Sequence, residues 1–568
     1  MINLKTYILI SLLGTFLVAC NTQTDELTTE SISPLMLYSQ EGTALSADKY
    51  KIYCTDTVTK ANAVLDRLKT ITNPSIDNFL KPLDQLWLNL SNIESETLLL
   101  RNAYPNLNIQ RAAQNCNQAV TSIQSQINLS PEIYANLTDL SNAQQNTSTQ
   151  KYIDDRIIHF QRNGADKPEA DRKKIRQLFK EVEQLGSQYN DNVRRTEKSI
   201  NILPKQLNGL PPDYIETHPV KTDNTVTITT NRTDMAPFMR YAESLQARIA
   251  LYQAFASIGY PENIAVLKQL LAKRYELAHR LGYENWIDYT SSRSILNSDD
   301  QIQAFLDNTA NAVRGKAKQE YVALLKKQQQ KQAGATKVAP WNQNYLQDQI
   351  KQEQFHIDEK ELRTYFAYNN VKEGIFALSK QLFSIDIEPW DTPVWHEDVE
   401  AYKVLENGEI MGYFYLDMHP RPDKYRNNQH IRLRLGIKDK QLPVSAIIAN
   451  IPGGQQQIQL LEHIDTRSFL HEFGHLLHNI FSGKQEWFGF AGNLNIPDFV
   501  EVPSKTLKNW MWDGEVLKLF AKNEQGEVIP DDLIKQLQDS RDFGVNLKIT
   551  RGLYLAALSL QLHRQDPE

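Results

Sequence analysis

Apolar residues recur at helical spacing through most of the first 355 positions of the chain. Between residues 175 and 193 they return every three or four positions with charged residues between them, as on a helix with one buried face. Breaks such as NGLPPDY and GYPENI separate the helical stretches. The pattern predicts a mostly helical region over residues 46–355, with one short strand at TVTITT (Thr225 to Thr230) and an exposed helix end or loop at KKQQQKQAGATK. The apolar positions of the example are Ile175, Leu178, Phe179, Val182, Leu185, Tyr189 and Val193.

The pattern changes after residue 356, where apolar and polar residues alternate. AYKVLENGEIMGYFYLDM predicts two strands joined by a tight hairpin turn at Asn407-Gly408. HIRLRLGI predicts a third strand, and the mostly apolar LPVSAIIANI predicts a strand buried on both faces. A small sheet is therefore expected directly before the segment TRSFLHEFGHLLHNIF, residues 466–481.

The composition is that of a soluble globular protein. Of the 568 residues, 41% are hydrophobic and 23% are charged, and the length predicts more than one domain or subdomain. The net charge of −6 argues against a nucleic-acid partner, because such a partner requires a basic face.

The first residues indicate export. Lys5 precedes an apolar run of 14 residues, which is too short to span a bilayer and fits the apolar part of a secretory signal. The LVAC that ends at Cys20 is similar to a bacterial lipobox, in which the cysteine carries the lipid. We therefore predict a lipoprotein signal peptide at residues 1–19, lipid attachment at Cys20 and a polar tether over residues 20–45. The alternatives are an ordinary signal peptide and the start of a buried helix.

The lipobox resemblance also implies a location. It places the chain in the bacterial cell envelope, held on a lipid membrane by an N-terminal acyl anchor. Asn21 favours the outer membrane, with the protein facing the periplasm. Cys54 and Cys116 then remain as either a single disulfide or two buried thiols, and the sequence leaves both open.

The segment HEFGH predicts a metal site. His471 and His475 are four residues apart, so on a helix they lie on one face and can bind one tetrahedral Zn²⁺. Glu472 is rotated about 100° from His471, beside the ligands, where it can take a proton from a metal-activated water. Gly474 allows another backbone to approach this turn. The alternative is a chance match on a buried helix with these apolar neighbours: Phe469, Leu470, Phe473, Leu476, Leu477 and Phe481.

A catalytic zinc site of this type needs a third protein ligand. His478 lies about 10 Å along the axis from the first histidine, so it is expected to pack beside the site rather than bind the same ion. A metzincin is excluded, because His478 and Phe481 stand where that class requires glycine and histidine. Glu486 and Glu501 are the downstream candidates. We choose Glu501, because apolar residues flank its carboxylate and Pro497 favours a helix start before it, whereas Glu486 lies in a polar loop.

FLHEFGHLLH followed by DFVEVPSK resembles the paired zinc motif of the M3 metallopeptidases, the thimet oligopeptidase and oligopeptidase A group. The resemblance implies that His471, His475 and Glu501 bind one zinc ion per chain and that Glu472 is the general base. Further segments are similar to that family and extend the resemblance over most of the chain: LNGLPPDYI, ASIGYPENIAVLKQLLAKRYELAHRLGYENWIDY, LPVSAIIANIP and NWMWDGEVLKLF.

The resemblance carries expectations about fold and activity. It implies a mainly α fold, a two-lobed helical zincin with a deep central channel and a small β-sheet next to the zinc-site helix. Residues 46–355 would form the helical N-terminal region and residues 356–568 the zinc-binding peptidase domain. The implied function is that of a monomeric metalloendopeptidase, which hydrolyses short peptides by attack of a zinc-bound water.

The sequence also departs from the family pattern. Lys505 replaces the usual glutamine of the second motif, and no GYxxGYY stretch occurs. The printed chain ends at LYLAALSLQLHRQDPE, from which we expect the C-terminal end of the peptidase domain to be missing. An alternative function follows, a catalytically inactive, membrane-tethered remnant that binds zinc and peptides. The two histidines and the glutamate of the predicted zinc site could also hold Co²⁺ or Mn²⁺.

Overall fold

The computed structural model describes residues 45–143, 145–451, 460–493 and 497–567. The predicted signal peptide, Cys20 and all but the last residue of the predicted tether lie outside these ranges. In chain order, the α-helices of the described residues are α1 (Ala47–Lys69), α2 (Lys81–Ala103), α3 (Leu107–Asn128), α4 (Pro131–Ser141), α5 (Thr147–Arg162), α6 (Glu169–Arg195), α7 (Pro212–Glu216), α8 (Arg232–Tyr241), α9 (Leu245–Ala256), α10 (Glu262–Leu281), α11 (Trp286–Ser291), α12 (Asp299–Lys331), α13 (Gln343–Phe355), α14 (Glu359–Leu362), α15 (Tyr368–Phe383), α16 (His463–Phe481), α17 (Glu501–Leu507), α18 (Gly514–Phe520), α19 (Asp531–Asp539) and α20 (Val545–Arg564).

Two small sheets accompany the helices. The strands are β1 (Ser199–Ile202), β2 (Val226–Thr229), β3 (Ile385–Pro389), β4 (Val399–Glu406), β5 (Glu409–Asp417), β6 (Gln429–Arg434) and β7 (Val444–Ile448). β1 and β2 form an antiparallel pair, and the others form a sheet of order β3-β4-β5-β7-β6. In that sheet β5 and β7 are parallel and the remaining neighbours are antiparallel. The fold is mainly helical with a small mixed sheet, which confirms the predicted class.

The predicted hairpin is the pair β4–β5. Glu406 faces Glu409 across the turn, and Asn407 and Gly408 between them have φ of 53° and 83°. Both values lie in the left-handed region, which Asn and Gly adopt at least cost and which matches the twist of the flanking strands. The three other predicted strands are confirmed as β2, β6 and β7. β1, the partner of β2, was not predicted.

The larger sheet is buried between two layers of helices. Val444, Ala446 and Ile448 of β7 join one apolar cluster with α1–α5, whereas Ile447 joins a second cluster with α15, α16, α18 and α19. Neighbouring residues of a strand point to opposite faces, so the apolar side chains of β7 pack alternately against the two helical layers. Because α1–α5 share a cluster with the sheet, residues from both sides of the predicted boundary at 355/356 pack together. The boundary itself stays a prediction.

Cys54 of α1 and Cys116 of α3 form a disulfide, which decides the question that the sequence left open. The predicted amphipathic helix around residues 175–193 is α6, and the segment KKQQQKQAGATK contains the exposed end of α12. Among the described residues, no helix combines the length and the hydropathy that crossing a membrane requires.

Candidate metal centre

α16 carries the histidine pair on the face that packs toward α17. Its opposite face packs against β5, β6 and β7. The side chains on that face are almost fully buried: Phe469, Leu470, Phe473, Leu476, Leu477 and Ile480. Burial of these apolar groups, at about 1.5–3 kcal/mol each, fixes the rotation of the helix. The side chains of His471 and His475, 21% and 15% exposed, therefore line up on the outer face.

His471, His475 and Glu501 bring three donor atoms together. Nε2 of His471 lies 3.5 Å and Nε2 of His475 lies 3.8 Å from the same Oε2 of Glu501. Within the described ranges, this is the group of metal-ligating side chains whose donor atoms lie within 4.8 Å of one another. Ligands bound to one tetrahedral Zn²⁺ at 2.0–2.1 Å are about 3.3 Å apart, so the three residues fit the ion with small adjustments. Glu486, the rejected candidate, is not part of the group.

Glu501 is placed beside the histidines because the backbones of α16 and α17 approach each other closely. A Cβ atom at Gly474 would lie 2.6 Å from Cα of Ser504, so only glycine at this turn of α16 permits the contact. Pro497 opens a 3₁₀ turn that ends at Phe499, and Glu501 is the first residue of α17. The buried Ser504 hydroxyl lies 3.1 Å from Oε2 of Glu501 and 3.0 Å from the Glu501 carbonyl oxygen, so its single hydrogen is shared between the two acceptors. Ser504 thus orients the carboxylate that completes the donor set.

The two histidines are in the protonation state that metal binding requires. Burial, followed by the neighbouring His475, lowers the pKa of His471 to about 4. Burial likewise lowers the pKa of His475. Neutral imidazole binds metals and imidazolium does not, so the site favours the binding form at neutral pH. Nδ1 of His471 is buried and has no hydrogen-bond partner among the described residues, so packing rather than a hydrogen bond orients this ring.

Glu472 lies beside the donor set. Its carboxylate accepts a backbone hydrogen bond from His430, which bridges α16 to β6. Burial, with a smaller contribution from the charge of Glu501, raises the pKa of Glu472 to about 7. A carboxylate with a pKa near neutrality exchanges protons readily at neutral pH, as a general base must.

Two further contacts surround the site. The ring of His430 stacks on that of His475 with centroids 6.1 Å apart, and its Nε2 lies 3.0 Å from the Ser445 hydroxyl. His478 is not in the donor set; its ring packs edge-on against Phe499 at 6.2 Å, as the helix spacing predicted. Sequence reasoning missed His430 and Ser504. The spacing of Ser504, three residues after Glu501 on a helix, was a usable signal, whereas nothing in the sequence pairs His430 with α16.

A cavity of about 920 Å³ opens at the N-terminal end of α16. Arg467, one helical turn before His471, belongs to its wall, as does Glu462, which precedes α16. The opposite walls come from α7, α8 and α13, and α20 closes a further side. None of the three candidate ligands lines this cavity, so the cavity and the donor set are neighbours along α16 rather than one space.

Similarity to known proteins agrees with this site. The sequence model of peptidase family M3 matches residues 238–568, more than half of the chain. The thimet-like oligopeptidase of Dictyostelium discoideum is 25% identical over 522 residues, which cover 86% of this chain and 77% of that protein. Oligopeptidase A of Escherichia coli (strain K12) is 26% identical, with 74% of this chain and 65% of that protein covered. Saccharolysin of Saccharomyces cerevisiae is 25% identical, with 89% and 75% covered.

The chain therefore spans between 65% and 77% of the length of these relatives. The matched region contains α16 and α17, and with them all three donor residues and Glu472. The chain belongs to peptidase family M3, a family of metallopeptidases.

Proposed function

We propose that this chain is a zinc-dependent oligopeptidase that hydrolyses short peptides, with Glu472 as the general base. The observation that carries the proposal is the convergence of the His471, His475 and Glu501 donor atoms within 4.8 Å. Family membership supports peptidase chemistry, and the names of the relatives above, thimet-like oligopeptidase and oligopeptidase A, support oligopeptides as substrates.

The proposed mechanism assigns a role to each side chain. His471, His475 and Glu501 would hold the ion, and Ser504 keeps the glutamate oriented. A bound zinc ion supplies Lewis-acid chemistry, acidifying water and polarising the peptide carbonyl. Glu472 in its ionised form takes a proton from the attacking water while the water oxygen bonds to the carbonyl carbon. Glu472 then gives that proton to the peptide nitrogen as the C–N bond breaks.

Glu472→Gln tests this assignment. The amide keeps the shape of the side chain but cannot accept a proton, so we expect turnover to fall by about 10²–10⁴-fold. The assay is cleavage of a short quenched-fluorescent peptide, with zinc content measured on the same samples. Glu486→Gln is the matched control, since Glu486 is an exposed glutamate outside the donor set. Unchanged turnover in Glu472→Gln would overturn the mechanism.

The same assay separates the enzyme from the inactive alternative. A folded chain that binds one zinc ion and cleaves no peptide would favour a zinc- and peptide-binding remnant. A chain that cleaves peptide, and loses this activity on zinc removal, would exclude that alternative.

We further propose that the chain is exported and lipid-anchored through Cys20. The Cys54–Cys116 disulfide supports an oxidising compartment such as the periplasm, because disulfides persist there and are rare in the cytosol. Labelled fatty acid should be incorporated into the wild-type protein in a bacterial host and not into Cys20→Ala. Equal labelling of the two would contradict the anchor.

A further inference from the structure

Three polar residues meet in the interface between α16 and the larger sheet. Ser445 of β7 and Asn479 of α16 are 0% and 1% exposed, and the imidazole of His430 on β6 joins them. We call these three residues the polar cluster. Apolar side chains such as Ile447 and Ile480 line the same interface. Oδ1 of Asn479 is buried and has no hydrogen-bond partner among the described residues, so stability alone does not favour a polar cluster here.

Hydrogen bonds run through the polar cluster in one direction. Nδ2 of Asn479 donates to the Arg434 carbonyl oxygen at 3.3 Å and to Oγ of Ser445 at 3.0 Å. Because the Ser445 hydroxyl accepts from Asn479, its own hydrogen is left for Nε2 of His430, which lies 3.0 Å away. Asn479 therefore contacts β6 twice, directly at its backbone and through one hydroxyl at the ring of His430.

α16 is hydrogen-bonded to β6 at two levels. At one level the His430 backbone N–H donates to the Glu472 carboxylate. At the other the Arg434 carbonyl accepts from Asn479. Glu472 and Asn479 are seven residues apart, so they lie about 20° apart around the helix and about 10.5 Å apart along it. Their partners, four residues apart on a strand, are about 13 Å apart, a difference within the reach of the two side chains.

β6 needs these contacts because it is an edge strand. Among the described strands it pairs with β7 on one side and has no second neighbour. Its register with β7 shifts between Arg432 and Arg434, and Asn479 donates to β6 at this irregular point. The ladder with β7 therefore does not by itself fix where the His430 N–H lies along α16. The second hydrogen bond, from Asn479, completes that placement.

We propose that Asn479 and Ser445 are positioning residues for the general base. They hold β6 in register along α16, so that the His430 N–H stays on the Glu472 carboxylate and orients it. The inference rests on the proposed function and adds to it two residues outside the donor set. Because Glu472 is not a metal ligand, loss of either residue should lower turnover and leave zinc binding intact.

Two substitutions and two matched controls test the inference. Asn479→Leu and Ser445→Ala remove the donors of the polar cluster. Asn136→Leu is the control for the first, since Asn136 on α4 is 6% exposed and also donates to a backbone carbonyl. Ser379→Ala is the control for the second, with a hydroxyl on α15 that is 1% exposed and donates to a carbonyl of its own helix. For each full chain, kcat, KM, zinc affinity and urea unfolding are measured.

We expect kcat to fall by about 10–100-fold in Asn479→Leu, because a small displacement of a catalytic group has an effect of this size. Ser445→Ala keeps the bond between Asn479 and β6 and should lose less. KM and zinc affinity should stay near wild type in both variants, and kcat should stay near wild type in both controls. Unchanged kcat in Asn479→Leu, or an equal loss in Asn136→Leu, would overturn the inference. If Asn479→Leu fails to fold, unchanged kcat in Ser445→Ala would do so.

Hydrogen exchange of the His430 amide gives a measurement that does not depend on turnover. This amide should exchange slowly in wild type and faster in Glu472→Ala, which lacks the acceptor. Asn479→Leu should also speed its exchange, and Asn136→Leu should not. Wild-type exchange of this amide in Asn479→Leu would overturn the inference even if kcat fell. A wild-type chain that cleaves no peptide would count against the proposed function, and the exchange rates would still decide whether the polar cluster positions His430.

Discussion

The two halves of the candidate metal centre are held in place in different ways. The histidine pair lies in the middle of α16, a helix of 19 residues whose inner face packs on the buried sheet. Glu501 begins α17, a helix of seven residues, and its side chain is 44% exposed. The histidines therefore depend on helix periodicity and a large apolar core. The glutamate depends on one contact between backbones, Gly474 against Ser504, and on one hydroxyl.

This difference implies that the donor set is more easily broken from the α17 side. Substitutions that shift α17 or release the Glu501 carboxylate should lower zinc affinity while α16 and the sheet stay folded. Three changes probe this, beginning with the largest expected effect.

Gly474→Ala disrupts the backbone contact between α16 and α17. The new methyl group would lie 2.6 Å from Cα of Ser504, and backbone atoms cannot move aside as a flexible side chain can. We expect a loss of about 3 kcal/mol in the free energy of unfolding, at the upper end for overpacked cores, together with weaker zinc binding. Urea denaturation and competition titration of zinc measure the two effects.

Gly315→Ala is the control for that change. Gly315 lies inside α12, and a Cβ atom there would have no atom within 4 Å beyond the neighbouring backbone of its own helix. Alanine is more favourable than glycine in a helix by about 1 kcal/mol, so this variant should be as stable as wild type or more stable. Equal destabilisation by the two substitutions would contradict the close approach at Gly474.

Ser504→Ala removes the hydroxyl that orients Glu501. Loss of a group hydrogen-bonded to a metal ligand costs about 10–100-fold in metal affinity, and we expect that range here. Folding should change by only about 0.5–1.5 kcal/mol, the net value of a typical hydrogen bond. Ser468→Ala on α16 should keep wild-type affinity, because among the described residues that hydroxyl donates to the Ile464 carbonyl of its own helix. Wild-type zinc affinity in Ser504→Ala would show that Ser504 does not orient Glu501.

The smallest expected effect comes from Glu472 on α16. It is a pH dependence of the free energy of unfolding, measured without zinc. Burial raises the pKa of Glu472 from 4.5 to about 7, so the folded chain binds this proton more tightly than the unfolded chain. The stability that this group contributes is complete below its unfolded pKa and is lost as the pH rises through about 7. Zinc-free Glu472→Gln should therefore exceed wild type by about 1–2 kcal/mol at mildly alkaline pH. The difference should vanish in mild acid, and a difference that grows in acid would contradict the burial of Glu472.

The histidine half of the site could be predicted from the sequence because its geometry is local. The spacing of His471 and His475 determines which face of a helix they share, and the apolar residues between them determine which face is buried. The same holds for the hairpin turn at Asn407-Gly408, where two adjacent residues favour the required left-handed conformation. Periodicity and turn chemistry act over a few residues, and one sequence displays them fully.

The remaining features depend on contacts between distant segments. The apolar surroundings of Glu501 and the family motif favoured it over Glu486, and the structure places Glu501 beside the two histidines. Its distance to them follows from the packing of Gly474 on Ser504. His430 reaches Glu472 only because β6 lies beside α16, and β1 was missed because its partner β2 is more than twenty positions away. The disulfide was left open because the distance between Cys54 and Cys116 depends on how α1 packs on α3.

The central claim, that Glu501 completes a zinc site with His471 and His475, is tested most directly by zinc content and affinity. The full chain would be analysed as wild type, Glu501→Gln and Glu486→Gln, by elemental analysis and competition titration. We predict one zinc ion per chain in wild type and Glu486→Gln. In Glu501→Gln we predict that zinc affinity falls by more than roughly 100-fold, the upper value for losing a group that only hydrogen-bonds to a metal ligand. Wild-type affinity in Glu501→Gln, or zinc loss in Glu486→Gln, would contradict the account.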